Sequence, residues 1–368
     1  SYPYPGRPVA AADMNSAGVK DNYDVLYDWA YNIANAKYDI DKCIFTREWG
    51  EYVDDWYAHN AINRAARGWG EHAQLAAALS LADTYGQMYH GQRQFIGGCL
   101  WHPFDHQRGY HPDAYVGGIY DAFRQPKYAL DMFQSQITPS TQNYHLFIAH
   151  EMTQFSPSDV TIFTNCDSVR LTALNGWKSA TLPVVHNPNG QPNAPVIFKD
   201  FWDFWKAREL SYNKKSWQSV KFVAEGIKNG KVVCTAEKMP SRRSTKIRLV
   251  ADEMNKPLVA DGSDFIVVVA EITDDNGNVR RLAREHVSFT VEGEGRIIGD
   301  ASIAANPRQV EWGTAPVLIR STHQAGPIRI IARSTFEGIH APAADTLTIK
   351  SIPYEGRMCY QELTGTIP

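Results

Sequence analysis

The sequence has 368 residues, a length that accommodates two or three domains. Its net charge is −3, so no strongly basic surface marks a nucleic-acid-binding or anionic-membrane-binding protein. No apolar run approaches the roughly 18 residues that a membrane-spanning helix needs. The five cysteines are scattered without a C-x-x-C pair, and their odd number argues against a complete disulfide framework. Aromatic residues reach 12%, which is typical of large packed cores and also of sugar-binding clefts.

Short apolar segments open the chain. Residues 7–14 and 23–29 are predicted to be strands, and Cys43–Trp49 is a third β-prone run that Gly50 ends. Residues 70–89 follow, Ala-rich and with leucines at helical spacing, which predicts a helix packed on one face.

A fourth strand is predicted at residues 95–101. A strand, a helix and a strand joined by short connections form the repeating unit of a parallel sheet. Four strands at this spacing are half of an eight-stranded α/β barrel. We therefore expect residues 1–136 to form part of such a barrel.

The pattern changes near residue 137. Residues 159–174 alternate apolar and polar side chains before an Asn-Gly pair, and residues 264–282 hold a strand, an Asn-Gly turn and a second predicted strand. Short strands separated by turn residues indicate β-sandwiches. We expect one sandwich domain at residues 137–250 and a second, immunoglobulin-like one at residues 251–368.

Polar residues follow the third and fourth predicted strands. Glu48 ends the third strand, and Trp101, His102 and Asp105 follow the fourth. In an α/β barrel the C-terminal ends of strands face the active site. A carboxylate after one strand and an aromatic ring after the next can hold a nucleophile beneath a stacked sugar. The alternative for Glu48 is a solvated strand-end carboxylate, or an ion-pair partner of Arg47.

The segment GGCLWHPFDHQRGYHPD, residues 97–113, concentrates polar and aromatic side chains. Its histidines, His102, His106 and His111, lack the helical scaffold that would bring them together with a fourth zinc ligand. The segment is also too polar for simple core packing. We interpret it as a loop lining a polar-ligand pocket, with Arg108 and the histidines as donors to sugar hydroxyls or to a sulfate group.

These motifs together resemble glycoside hydrolase family 2, in the β-galactosidase branch found among degraders of agar and porphyran. The resemblance begins at RPV near the start and covers nearly the whole chain. It includes TREWGEYVDDWYAHNAINRAARGWGE, then the GG-x-x-W segment, and a D-x-x-R-x-P-K exit. That exit comprises Asp121, Arg124, Pro126 and Lys127.

The resemblance implies roles for individual residues. Glu48 would be the catalytic nucleophile and would form a covalent glycosyl-enzyme, with net retention. Trp101 would form an apolar platform under the sugar. Asp105 would either bond a sugar hydroxyl or brace the site. His59 and Asn60, in the loop after Glu48, are candidates for hydroxyl contacts, as is His102.

The implied fold is α/β, with the late strands of a (β/α)8 TIM barrel in residues 1–136 followed by all-β immunoglobulin-like sandwiches. The implied activity is that of a retaining β-galactosidase cleaving terminal β-galactosides, such as agar- or porphyran-derived oligosaccharides. The general acid/base glutamate would lie upstream of this chain. Another family-2 specificity, β-glucuronidase or β-mannosidase, and a non-catalytic carbohydrate-binding fragment remain open alternatives.

The resemblance also implies partners and a location. Family members hold Mg²⁺ or Na⁺ near the site, but no ligand set in this sequence requires a metal or other cofactor. The expected partners are a β-galactoside oligosaccharide and the N-terminal portion of the same enzyme, as a separate chain or a missing segment. No nucleic acid or membrane is expected, and a homo-oligomer is left open. The implied location is periplasmic or extracellular.

Overall fold

The computed structural model divides the chain into two compact units, Ser1–Pro240 and Ser241–Pro368. The expected boundary near residue 250 falls inside a strand, Lys246–Asp252, that belongs to the second unit. Side chains at 11, 47 and 89–91 are not described. The structure describes residues 6, 8–11, 14–28, 41–50, 61–91, 94–107, 114–186, 192–252 and 256–356.

The first unit begins with a four-stranded parallel sheet in chain order. Its strands are β1 (Ala10–Ala11), β2 (Val25–Tyr27), β3 (Cys43–Trp49) and β4 (Phe95–Leu100). A short helix, α1 (Val19–Asn22), lies between β1 and β2. All four predicted strands are confirmed. Their place in a (β/α)8 barrel stays a prediction.

The helix predicted over residues 70–89 is confirmed as α2 (Glu71–Gly91), between β3 and β4. Its most buried side chains are Gln74, Ala78, Leu81 and Met88, so the packed face is offset by one residue from the face predicted from the leucines. Small alanine side chains on this face let the helix approach its neighbours closely. A third helix, α3 (Tyr128–Gln134), packs against α2.

A β-sandwich completes the first unit. One sheet has the order β5-β6-β9 and the other the order β11-β10-β7-β8, both antiparallel. Their inner faces share one core that includes the fully buried Ile162, Leu171, Phe198 and Phe222. The strands are β5 (Leu146–Ala149), β6 (Val160–Thr164), β7 (Ser168–Ala173), β8 (Lys178–Pro183), β9 (Val196–Phe198), β10 (Phe222–Lys228) and β11 (Lys231–Lys238). A short helix, α4 (Phe204–Arg208), follows β9.

The turn between β7 and β8 is the one that the first Asn-Gly pair predicts. Asn175 and Gly176 have φ values of 59° and 81°, the left-handed region that a tight hairpin turn needs. The register Ala173↔Lys178 closes the hairpin directly around this turn. The first Asn-Gly pair therefore lies in a hairpin turn.

His150 is a buried, uncharged part of the sandwich core. Its Nε2–H donates to the carbonyl of Pro157 at 2.9 Å, and its Nδ1 accepts from the Met152 amide at 3.0 Å. Burial lowers the pKa of His150 to about 4. A second ring proton would also remove the acceptor that Met152 uses.

We expect this histidine to make the first unit acid-sensitive. Its folded pKa is below the unfolded value, so the stabilisation is complete above about pH 6.5 and is lost as the pH falls towards 4. Between pH 7 and 5, His150→Gln should lose about 2 kcal/mol less of its free energy of unfolding than the wild type. Denaturant titrations at both pH values measure this. The exposed His186→Gln is the control, and an equal pH dependence in all three proteins would contradict the assignment.

The second unit is also a sandwich, with strand orders β12-β14-β18-β16 and β13-β20-β19-β15-β17. The buried Val268, Phe289, Ile319 and Ile330 meet in one core between the sheets. The strands are β12 (Lys246–Asp252), β13 (Leu258–Ala260), β14 (Phe265–Thr273), β15 (His286–Gly293), β16 (Gly295–Ile298), β17 (Arg308–Gln309), β18 (Thr314–Ser321), β19 (Pro327–Ser334) and β20 (Asp345–Pro353).

The second Asn-Gly pair forms a turn but not the predicted hairpin. The carboxylate of Asp274 accepts the backbone amides of Asn276 and Asn278 and so fixes the turn after β14. Pairing continues only as the single bridge Thr273↔Val279, and the next strand begins at His286. The strand predicted directly after the turn is therefore wrong. In the described part of the chain, no helix combines the length and the apolarity that crossing a bilayer requires.

Candidate active site

The C-terminal ends of β3 and β4 lie side by side. The Trp101 amide, just beyond β4, donates to the carbonyl of Trp49 at 2.7 Å. Glu48, the penultimate residue of β3, and Trp101 therefore lie at the same edge of the parallel sheet, as the sequence predicts. In α/β folds this edge is where ligands bind.

An extra residue interrupts the pairing of β3 just before this edge. Thr46 pairs with Gly98 and Trp49 pairs with Leu100, so two residues of β3 lie opposite one residue of β4. This is a β-bulge, an irregularity that changes the direction of side chains along a strand. Glu48 is one of the two residues in the bulge.

The bulge brings the side chains of Thr46 and Trp49 to one face of β3. A Cβ at Gly98 would meet Cγ2 of Thr46 and lie 3.3 Å from Cδ1 of Trp49, so these two side chains share one face although they are three residues apart. Trp49 packs against Tyr85 of α2 at 6.0 Å between ring centroids. Glu48, one of the two bulge residues between Thr46 and Trp49, has a half-buried side chain.

Aromatic rings surround the half-buried Trp101. The ring centroids of His102 and His106 lie 6.0 Å and 6.2 Å from its own, and the two imidazoles are 4.2 Å apart. His106 stacks on the buried Tyr115 with an interplanar angle of 25°. The guanidinium of Arg64 lies over the Tyr115 ring, 4.4 Å from its centroid. These ring and cation contacts form the aromatic surroundings of the Trp101 indole.

His102 is held as a neutral imidazole. Its Nδ1–H donates to the carbonyl of Phe104 at 2.6 Å, and burial together with the nearby His106 lowers the pKa of His102 to about 4. Gly117 packs directly above it, because a Cβ at that position would lie 3.5 Å from Nε2. His102 therefore contributes a polar but uncharged group at physiological pH.

Asp105 forms a buried ion pair. Its Oδ1 lies 2.7 Å from Nζ of Lys127 and accepts the Gly118 amide at 2.9 Å, and both charged side chains are less than 9% exposed. Burial raises the pKa of Asp105 to about 6 and lowers the pKa of Lys127, whereas the opposite charge of each partner opposes both shifts. Lys127 also donates to the carbonyl of Val116 at 2.8 Å. The two roles expected for Asp105, a bond to a sugar hydroxyl and a brace of the site, stay predictions.

The D-x-x-R-x-P-K motif forms the loop that positions Lys127 beside Asp105. Asp121 accepts the amides of Phe123 and Gln125 with Oδ1 and the Gln125 side chain with Oδ2, each at 2.8 Å. Nε of Arg67 donates to the carbonyl of Pro126 at 3.2 Å. Lys127, Arg64 and Tyr115 were not singled out as site residues from the sequence, because their burial depends on contacts far along the chain.

Gly118 makes room for this arrangement, and its substitution should show that directly. A Cβ there would lie 2.5 Å from the carbonyl carbon of Phe104 and 2.5 Å from the carbonyl oxygen of Tyr120, both rigid backbone atoms. Gly118→Ala should lower the free energy of unfolding by roughly 2–3 kcal/mol. The neighbouring Gly117→Ala, which meets only ordinary contacts, should cost less than about 1 kcal/mol. Equal effects in denaturant unfolding would contradict this packing.

Three residues expected in the site, His59, Asn60 and Arg108, lie outside the described residues. So do His111 and Glu51, which lies three residues after Glu48 and is the competing candidate for the nucleophile. Their roles stay predictions. Within the described ranges, no group of three or more His, Cys, Asp or Glu side chains is placed to hold a metal ion.

Comparison with known proteins shows which family this chain is similar to. Residues 247–337, which lie in the second unit, match the family model of the glycoside hydrolase family 2 C-terminal domain 5. A solved β-glucuronidase of glycoside hydrolase family 2 superposes on 94% of this chain with a TM-score of 0.64, at 20% identity and over 35% of its own length. That likeness shows the shared fold. The chain is thus related to glycoside hydrolase family 2, and the resemblance drawn from the sequence is confirmed.

Two proteins that are similar in sequence to this chain are named as enzymes. The chain is 26% identical to a β-galactosidase of Thermoanaerobacter pseudethanolicus over 315 residues, 83% of this chain and 39% of the relative. It is 24% identical to a β-glucuronidase of Formosa agariphila over 261 residues, 69% of this chain and 23% of the relative. The chain therefore spans less than half the length of either relative.

Proposed function

We propose that this chain carries the nucleophile of a retaining glycoside hydrolase that cleaves terminal β-galactosides. The observation that supports this most is that Glu48, in the β-bulge of β3, lies at the same sheet edge as Trp101 at the end of β4. In this proposal the four parallel strands are the late strands of a (β/α)8 barrel. The relative named a β-galactosidase supports the choice of sugar.

The proposed reaction is a double displacement. The Glu48 carboxylate attacks the anomeric carbon while the aglycone oxygen leaves with a proton from a second carboxylic acid, and water then hydrolyses the glycosyl-enzyme. We assign that acid to a part of the protein upstream of this chain. The indole of Trp101 would stack on the C–H face of the galactose ring.

The charge balance of the described site favours a neutral sugar. A β-glucuronidase must bind a sugar carboxylate, which calls for a cation at the site. Lys127 is paired with Asp105, the buried guanidinium of Arg64 lies over the Tyr115 ring, and His102 is uncharged. A galactoside needs only hydroxyl partners, which neutral groups such as His102 can supply. Agar- or porphyran-derived oligosaccharides, in an extracellular or periplasmic setting, fit this choice.

Substrate comparison tests the proposal. The whole protein that contains this chain should hydrolyse p-nitrophenyl-β-galactoside with a kcat/KM at least about 100-fold above that for the β-glucuronide, since the glucuronide would bury an unpaired carboxylate. A preference for the glucuronide would overturn the choice of sugar. Galactoside binding without turnover of either substrate would instead identify a non-catalytic carbohydrate-binding module.

A further inference from the structure

Two cysteine thiols meet inside the sandwich of the first unit. Sγ of Cys166 lies 3.8 Å from Sγ of Cys234. Cys166 is fully buried in the crossover from β6 to β7, and Cys234 is a partly exposed residue of β11. The crossover links the two sheets, whereas β11 is the outer strand of one of them. The pair therefore joins two separate parts of the sandwich.

Gly226 of β10 is what allows the two sulfurs to meet. It pairs with Cys234 on one side and with Val169 of β7 on the other. A Cβ at Gly226 would lie 2.6 Å from Sγ of Cys234 and 2.7 Å from Sγ of Cys166. Any larger residue would fill the space over β10 in which the thiols approach each other.

We infer that Cys166 and Cys234 are a disulfide site, which closes when the protein meets an oxidising thiol–disulfide couple such as glutathione. The two sulfurs already lie in contact on one face of the sheet, so a small displacement brings them to bonding distance. The bond would tie the β6–β7 crossover to β11. This inference does not depend on the proposed glycosidase function.

The chemistry needs only oxidised glutathione as the electron acceptor. The more accessible Cys234 attacks the glutathione disulfide as a thiolate, which forms a mixed disulfide and releases one glutathione. Cys166 then attacks the Cys234 sulfur, forms the internal disulfide and displaces the second glutathione. Two electrons pass from the protein thiols to glutathione, and the two thiol protons end on the two released glutathione thiols.

The cross-link should stabilise the first unit. Residues 166 and 234 are 68 positions apart, and closing a loop of this size restricts the unfolded chain considerably. We expect the thermal midpoint of the first unit to rise by roughly 5 °C or more on oxidation, and to return when reductant is added.

Peptide mapping after equilibration with excess oxidised glutathione, acid quenching and alkylation provides the test. The expected result is a linked peptide pair containing Cys166 and Cys234 within one chain, with a mass lower by two hydrogens. The exposed Cys43 and Cys99 serve as internal controls and should carry glutathione or alkyl groups.

Variants separate the cross-link from general oxidation. Cys234→Ser should abolish both the linked peptides and the reductant-sensitive shift, while Cys43→Ser should retain both. Recovery of Cys166 and Cys234 as free or separately glutathionylated thiols in the folded wild type would overturn the inference. So would an equal reductant-sensitive shift in Cys234→Ser.

Discussion

Replacement of Glu48 by Gln is expected to lower kcat of the whole enzyme on an aryl β-galactoside by at least about 1,000-fold. The amide has nearly the shape of the carboxylate but cannot act as a nucleophile, so the glycosyl-enzyme cannot form. Binding of the galactoside should be retained, because the stacking face of Trp101 is unchanged. Steady-state kinetics and a binding isotherm on the same preparation measure both effects.

Chemical rescue distinguishes a nucleophile from a structural carboxylate. Glu48→Ala should regain turnover when azide is added, and the glycosyl azide should have the inverted anomeric configuration, because azide replaces the enzyme in the first displacement. Glu225→Gln, which removes a surface partner of Arg170, is the control and should keep full activity. A Glu48→Gln variant within tenfold of the wild type would rule out the assignment.

Removal of Lys127 should have the largest effect on stability. Lys127→Met leaves the Asp105 carboxylate buried without its counter-ion, which should lower the free energy of unfolding by about 3–5 kcal/mol. The matched control is Lys199→Met, which breaks the exposed pair with Asp159 at the same 2.7 Å distance. Because that pair is solvated, its loss should cost less than about 1 kcal/mol.

A double variant identifies the buried charge as the cause. Asp105→Asn keeps an oxygen that can accept the Gly118 amide but removes the charge. Lys127→Met combined with Asp105→Asn should therefore be more stable than Lys127→Met alone in denaturant unfolding. A double variant that is less stable than the single one would show that lost packing, and not the unpaired charge, dominates.

Local sequence patterns were enough to place the main elements of the site. The β-prone run at Cys43–Trp49, the Ala-rich helix after it and the run before Trp101 were all predicted, and they bring Glu48 and Trp101 to one sheet edge. Each of these signals comes from residues close together in the chain. The Asn-Gly turn between β7 and β8 was predictable for the same reason.

The bulge in β3 was not predictable from periodicity. Strict alternation along β3 would put Thr46 and Glu48 on one face, but the bulge puts Thr46 on the face of Trp49. A bulge depends on the pairing with β4, which lies about fifty residues away, so no pattern within β3 shows it. Alternation alone therefore did not identify Glu48 as the nucleophile, and that assignment depended on the family resemblance.

The ion pair of Asp105 was not predictable either, because its partner lies far along the chain. Lys127 is 22 residues further along the chain and belongs to a motif that looked like a simple exit from the barrel.

The strand after the second Asn-Gly turn was predicted wrongly for a different reason. Its local signal was strong, but Asp274 caps the turn with its own side chain and the backbone leaves the sheet after one bridge.

The most direct measurement is to trap the covalent intermediate. Incubating the whole enzyme with a 2-deoxy-2-fluoro-β-galactoside that bears a good leaving group slows hydrolysis of the glycosyl-enzyme, and digestion followed by mass spectrometry locates the attached sugar. We predict a single fluorogalactosyl group on the peptide that contains Glu48. A label on any other carboxylate, or continued turnover with no label at all, would contradict the role assigned to the end of β3.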